Sequence, residues 1–316
     1  MNNKNLLLVV NLLLLLFLAV YFLSMSRNIE ELSNNDKIEM MDWWKSDDLE
    51  SKEIFEKIFS GVFTDYDKIR IYNGAVGTEV GQIVKHPRIL NVQYSAESYY
   101  KEPDAFDINF IPSEQNYKNI IAFPYGSLYF LTKSSRVIER LTKPRTYQPK
   151  SNFCLFSVTN GSCQQRNEMF SELCKYKKVD SCGQHMNNMD KPCPGNWWEE
   201  EYCQFISQYK FMICFENVSK CNYLTEKCIN AFYCGTIPIY WGCTNVDEHI
   251  NREAILYLSP EYTSEEREAL IQKIIYLDNN EEAYRSMFEK PFFKDGVLPP
   301  SFDINQIREK IENTLQ

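Results

Sequence analysis

An α/β fold built on parallel strands is predicted by three features of the chain. Tyr209 to Gly242 reads YKFMICFENVSKCNYLTEKCINAFYCGTIPIYWG, in which an apolar run (Phe211–Phe215), a polar loop, a helical pattern and a second β-rich run (Thr236–Tyr240) make one strand, helix, strand unit. The strand, loop, helix order recurs at Phe153–Val158 and Gln164–Tyr176. Lys68–Tyr72, Ile89–Tyr94, Asp107–Ile111 and Asn119–Phe123 are short β-rich runs separated by turn residues, as a second, smaller sheet domain requires. With 316 residues, 44% of them hydrophobic and 14% aromatic, there is room for two domains with real cores.

The chain starts with an apolar run, Leu6–Leu23, broken only by Asn11. At about 1.5 Å per residue it reaches across a hydrocarbon core, and no small-residue cleavage site follows, so residues 1–27 read as a cytoplasmic tip and transmembrane signal-anchor helix. Lys4 and the terminal amine lean slightly toward placing the short end inside. A polar, acidic stem covers 28–37, and folding starts near Ile38. The four β-rich runs then define an N-terminal domain over 38–145, and Lys133–Lys150, rich in Lys, Arg, Pro and Thr, reads as the linker. A C-terminal domain spans 146–300, ending with a strand at Ala254–Leu258 and helices at Ser264–Leu277 and near Glu281–Phe288. The first of these opens Ser-x-x-Arg and lacks a capping box. The Pro299-Pro300 break separates off a C-terminal helix within 301–316.

A net charge of −9 excludes a nucleic-acid partner, because no basic field is available to release counterions. All eleven cysteines lie between Cys154 and Cys243, and an odd number leaves at least one outside any disulfide framework. Cys182, His185 and Cys193 are close in sequence, yet their spacing fits no closed zinc site, and structural cysteines are the better reading. Asn187–Glu201, a loop with cysteine and tryptophan, carries no functional pattern.

Chemistry concentrates at two helix starts. In strand, helix, strand units the ligand sits at the carboxyl ends of the strands, where unsatisfied amides and the helix dipole favour an anion. Lys227, in the first turn after Thr225, and Arg166, in the first turn after the strand at Phe153–Val158, are cations set against their own helix dipoles, which points to a compensating anion at each. Glu226 can accept hydrogen bonds from sugar hydroxyls; the alternative is a surface Glu-Lys pair opening an ordinary helix. Gly235 stands where a helix C-terminus favours positive φ. Asn160-Gly161-Ser162 and Asn217-Val218-Ser219 are glycosylation sequons by pattern, and Asn217 falls inside the candidate site.

The run FEN, a spacer, Y-L-T-E-K and G-T-I-P-I-Y-W-G resembles the donor-binding signature of the α1,3/4-fucosyltransferases, glycosyltransferase family 10, with Leu224 where many members have Val. FCLFSVTN followed by Arg166-Asn167 resembles the family segment whose arginine holds the nucleotide diphosphate, and Val179–Gly183 resembles its V-D-S-Y-G turn with Cys182 in place of the aromatic. Trp43-Trp44 with Asp47, Asp48 and Glu50 resembles the W-W loop of some bacterial members, though as physics alone such a pair is more often packing. Tyr94–Ser98 resembles the family's E-S segment at a strand end, whose carboxylate is the proposed general base. That assigns the role to Glu97, with Glu102 and Glu114 as rivals.

The resemblance implies two Rossmann-like domains in the type B glycosyltransferase fold, 38–145 on the acceptor side and 146–300 binding the donor, with GDP-fucose as donor, a glycan acceptor on glycoprotein or glycolipid, and transfer with inversion. In it, Glu97 is catalytic, and Arg166, Asn217, Tyr223, Glu226 and Lys227 bind the donor. It also supports a type II Golgi membrane protein with a lumenal catalytic part. No metal is strictly required, since two cations can neutralise the diphosphate; stimulation by Mn2+ is compatible with this. A transferase for another nucleotide sugar on the same fold, or a catalytically silent membrane-anchored glycan-binding protein, are the alternatives.

Overall fold

Two parallel sheets organise the chain in the computed structural model, which describes residues 37–43, 48–62, 65–113, 117–133, 135–197 and 199–316. The Leu6–Leu23 run, Trp44, Asp47 and Glu114 lie outside these. Among the described residues no helix is long and apolar enough to cross a membrane. The first sheet has the order β1 (Ile38–Met41), β2 (Lys68–Asn73), β3 (Ile89–Tyr94), β4 (Ile108–Phe110), all parallel. Leu90, Val92 and Tyr94 of β3 alternate with Asn91 and Gln93, so one face is apolar and the other polar, although both are buried. The apolar face packs on Phe55, Ile58 and Phe59 of α1 (Leu49–Phe59), whose start is capped by the Asp48 carboxylate accepting from Ser51 N. The polar face is closed by a loop: Gln93 Nε2 donates to Asn109 Oδ1 at 2.7 Å, and Asn109 Nδ2 to the Pro103 carbonyl at 3.0 Å.

Asn119–Phe123 is not a strand. Ile120 makes one isolated parallel bridge to Asn109, and the chain turns away because Pro124 starts α2 (Tyr125–Leu131). The presumed linker is likewise interrupted by α3 (Ser135–Thr142). Trp43 is a packing residue, edge-on to Phe55 and tilted against Tyr94, with its indole N–H donating to Asp48 Oδ2.

The second sheet follows the order β6 (Val179–Ser181), β5 (Asn152–Phe156), β7 (Tyr209–Ile213), β8 (Ile237–Tyr240), β9 (Leu256–Tyr257), again all parallel. Val179–Ser181, expected as a turn, is thus an edge strand. Phe211 and Ile213 of β7 face one core and Met212 the other, so this sheet is apolar on both sides, as a doubly covered sheet must be. Its helices are α4 (Gln164–Tyr176), α5 (Glu200–Ile206), α6 (Glu226–Tyr233), α7 (Ser264–Asn279) and α8 (Glu281–Phe288). Helix α7 does carry a capping box, but one residue earlier than the sequence suggested: Thr263 and Glu266 satisfy each other's backbone amides. Gly235 ends α6 with φ +82°.

The strand order reverses between β5 and β7, so the loops after these two strands open the crevice where ligands sit in such sheets. The last helix, α9 (Ile304–Leu315), leaves the second sheet and buries Ile307 and Ile311 among Phe55, Phe59 and Ile69 of the first.

Because Ile311 is fully buried in that shared core, Ile311→Ala should lower unfolding stability by about 2–5 kcal/mol in urea titrations, whereas exposed Glu312→Ala should stay within about 0.5 kcal/mol. Equal, small effects would show that α9 does not clamp the two halves.

Candidate active site

The polar loop after β7 begins with a carboxylate that the sequence reading passed over. Glu216 is fully buried, accepts from Thr225 N and Thr225 Oγ1 at 2.8 Å each, and lies 3.4 Å from the Tyr240 hydroxyl, which donates to it. The Thr225 hydroxyl is therefore diverted from capping α6, although Thr225 occupies the N-cap position. Gly242 permits the arrangement: its φ is +143°, and a Cβ there would stand 2.6 Å from the Glu216 side chain.

Glu226 and Lys227 are the first two residues of α6. Lys227 Nζ donates to Thr225 Oγ1 at 3.0 Å and lies 3.4 Å from Glu226 and 3.5 Å from Glu216. Burial works against its charge, but Glu226 and Glu216 more than offset this and hold the ammonium above the ordinary lysine range. Burial raises the Glu216 carboxyl, with Lys227 opposing. Tyr223 is nearly buried, its phenol pushed upward by burial and by Glu216, and it stays a neutral hydroxyl.

Arg166, in the first turn of α4, is 2% exposed. Its Nη2 donates to the Phe215 carbonyl at 2.8 Å and to Asn217 Oδ1 at 2.7 Å, and its Nη1 to the Asn160 carbonyl. It bridges the loops after β5 and β7, at the strand-order reversal, and its buried Nε has no partner among the described residues. Since an arginine can only donate, Asn217 must present its oxygen to Arg166, which leaves the Asn217 amide N–H groups for the cleft. Arg166 is close enough to Lys227 for their charges to oppose each other, a cost that an anion between them would remove.

A cleft of about 1070 Å³ brings five of the six candidate residues together: Glu97, Asn217, Tyr223, Glu226 and Lys227 line it, and Arg166 stands behind Asn217. Glu97 follows β3, in a loop pinned by Ser95 Oγ, which donates to the Tyr99 carbonyl at 2.7 Å. Its carboxylate makes no hydrogen bond or ion pair with any described residue. Burial raises its proton affinity, Lys227 lowers it, and Glu226 raises it. Glu102 begins a 3₁₀ turn away from the cleft. Other lining residues that sequence reasoning missed are aromatic: Tyr125 and Tyr129 on α2, and Trp197 from the 187–201 loop.

Cys182 and Cys193 form a disulfide, and His185 Nε2 pairs with Asn167 Oδ1, so these three do not make a zinc site. Among the described residues no group of three metal-ligating side chains converges.

Residues 147–292 match the family model described as glycosyltransferase family 10 (fucosyltransferase), C-terminal. A putative fucosyltransferase of Acanthamoeba polyphaga mimivirus is 26% identical over 242 residues, covering 70% of this chain and 39% of that protein. An alpha-(1,3)-fucosyltransferase of Helicobacter pylori is 29% identical over 174 residues, covering 52% and 34%. GDP-fucose protein O-fucosyltransferase 3 of Xenopus tropicalis is 32% identical over 130 residues, covering 39% and 27%. The matched stretch thus spans well under half the length of each of these relatives. In fold, the chain is similar to a crystal structure of an alpha1,3-fucosyltransferase (TM-score 0.67, 20% identity, covering 88% of this chain and 89% of that one) and to one with GDP-fucose (TM-score 0.65).

Glu216→Ala strands two buried donors of Thr225 and removes a carboxylate from Lys227, and should cost about 3 kcal/mol in denaturant titrations. Glu226→Ala, at the cleft rim, should cost under about 1 kcal/mol. If the two variants unfold alike, Glu216 does not support the cradle.

Proposed function

We propose, from the match of residues 147–292 to the glycosyltransferase family 10 (fucosyltransferase) C-terminal model, that the protein is a fucosyltransferase of this kind and transfers L-fucose from GDP-fucose to a glycan hydroxyl with inversion. The observation that carries the reading is that Glu97, following a strand of one sheet, shares a cleft with the Glu226-Lys227 helix start of the other. A single displacement needs both. The acceptor oxygen attacks the anomeric carbon from the face opposite the diphosphate, its proton passes to the Glu97 carboxylate, and the bond from the anomeric carbon to the phosphate oxygen breaks to release GDP.

Lys227 neutralises the departing diphosphate, and α6 adds its dipole. Arg166 contributes charge from behind Asn217, whose remaining N–H groups, with the Tyr223 hydroxyl and the Glu226 carboxylate, hold nucleotide and sugar. No resident metal takes part in this scheme. An α1,3 linkage is supported by the name of the Helicobacter pylori relative, and we take N-acetylglucosamine or a similar sugar as its acceptor. The Leu6–Leu23 run supports a membrane anchor, and the family resemblance is what points to a type II orientation with the catalytic part in the Golgi lumen.

GDP release by the full-length protein, given GDP-fucose and a panel of β-galactosyl and N-acetylglucosaminyl acceptors, tests the reading. Glu97→Gln should abolish acceptor-dependent release and keep GDP binding, and Lys227→Ala should lower turnover roughly a hundredfold, about 3 kcal/mol. Near-normal turnover in either variant removes that residue from its role.

Burial raises Glu97 above the ordinary 4.5, and a base works only when deprotonated, so kcat/KM should fall as pH drops through a value above 4.5. Bound diphosphate offsets the lowering influence of Lys227, so the acid limb of kcat should lie higher still than that of kcat/KM. Coincident limbs at or below 4.5 would exclude Glu97 as the base.

A further inference from the structure

Helix α2 acts as a ruler along the cleft. Tyr125 lies within electrostatic reach of Glu97, Tyr129 is one helical turn on, about 6 Å along the axis, and Lys133 sits just past the far end. Trp197 packs on Tyr129 with ring centroids 5.4 Å apart and remains 38% exposed at the cleft wall. It belongs to the loop that follows the Cys182–Cys193 disulfide. Buried Asn230 holds this pair to the donor helix: Tyr129 Oη donates to Asn230 Oδ1 at 2.6 Å, and Asn230 Nδ2 donates to the Trp197 carbonyl at 3.2 Å. Asn230 is four residues from Glu226, on the same face of α6, so one helix positions both the donor carboxylate and the aromatic pair.

A half-exposed indole in a polar cleft offers a flat apolar face to a ligand that is apolar on one side and hydroxylated at its edge, which describes a pyranose ring. One helical turn is about one sugar unit. The surroundings carry Asp48 and Glu50 in the cleft, and Glu199 and Glu200 around an adjoining small cavity; the lining lysines are Lys133, whose ammonium lies 4.1 Å from the Tyr129 ring centroid, and Lys227, already paired with Glu216 and Glu226. This field disfavours anionic sugars.

We infer that Trp197 and Tyr129 form an acceptor shelf: the acceptor is a neutral glycan of at least two sugars, the one beside Glu97 receiving fucose and its neighbour stacking on Trp197. This rests on the fucosyl-transfer reading of the cleft. Asn230 is the positioning residue of the shelf.

The test is GDP release from GDP-fucose by the full-length protein with N-acetylglucosamine, N-acetyllactosamine, its sialylated form and a serine/threonine peptide as acceptors. Trp197→Ala should raise KM for N-acetyllactosamine tenfold or more and leave KM for N-acetylglucosamine and donor hydrolysis unchanged, with Trp197→Phe restoring most of the loss. The sialylated acceptor should be poorer than the neutral one. The shelf is overturned if Trp197→Ala shifts KM for N-acetyllactosamine less than twofold or shifts both sugars equally, or if the peptide is the preferred acceptor. If the unaltered protein releases no GDP with any acceptor, the fucosyl reading fails separately. Saturation-transfer NMR with N-acetyllactosamine then decides the shelf, supported by binding that Trp197→Ala abolishes and overturned by binding that persists or by none to the unaltered protein.

Discussion

A fully buried carboxylate governs the second-sheet side of the cleft. Glu216 is fully buried, and such a group persists only if donors surround it; here Thr225 supplies its amide and hydroxyl, Tyr240 its phenol, and Lys227 a full charge. Those requirements determine the neighbourhood. Thr225 must face inward, so α6 begins at Glu226, and Lys227 is held where its ammonium reaches both Glu216 and the cleft. Gly242 must lack a side chain, because a Cβ would overlap Glu216. The order and spacing of F-E-N, T-E-K and the closing glycine thus have a mechanical origin in one buried charge.

Much of the site was legible because its residues announce themselves locally. Lys227 and Arg166 are cations opening helices against the dipole, and Gln164–Tyr176 was readable to the residue from its periodicity. Glu216 escaped because a carboxylate after an apolar strand looks solvated until its burial is known. The aromatic wall escaped for a different reason: Tyr125 and Tyr129 lie in a short apolar segment, YGSLYFL, with no helical periodicity to read, and Trp197 reaches the cleft only through the fold of its loop. In the first sheet, Asn119–Phe123 has β composition, but Pro124 ends it after one bridge. The missed helix Leu49–Phe59 was readable, since Ile54, Phe55, Ile58 and Phe59 are spaced for one buried face.

The proposed base, Glu97, and the proposed donor cradle come from different sheets, so the proposed reaction depends on how the two halves are held. Helix α2 is shared between them: Leu128 packs in the first core, Tyr129 and Phe130 in the second. Gly126 N donates to the Leu224 carbonyl at 2.8 Å, an approach so close that a Cβ on Gly126 would lie 3.0 Å from that oxygen. Lys220 Nζ donates to the Ser98 carbonyl at 2.6 Å, tying the loop of Glu97 to the loop of Asn217. Both tethers meet the second-sheet loop within three residues of Tyr223, and the second ends on the residue beside Glu97. The gap between base and donor is therefore set by short backbone contacts at the cleft itself, and the long-range clamp of α9 has only to keep the two sheets from parting.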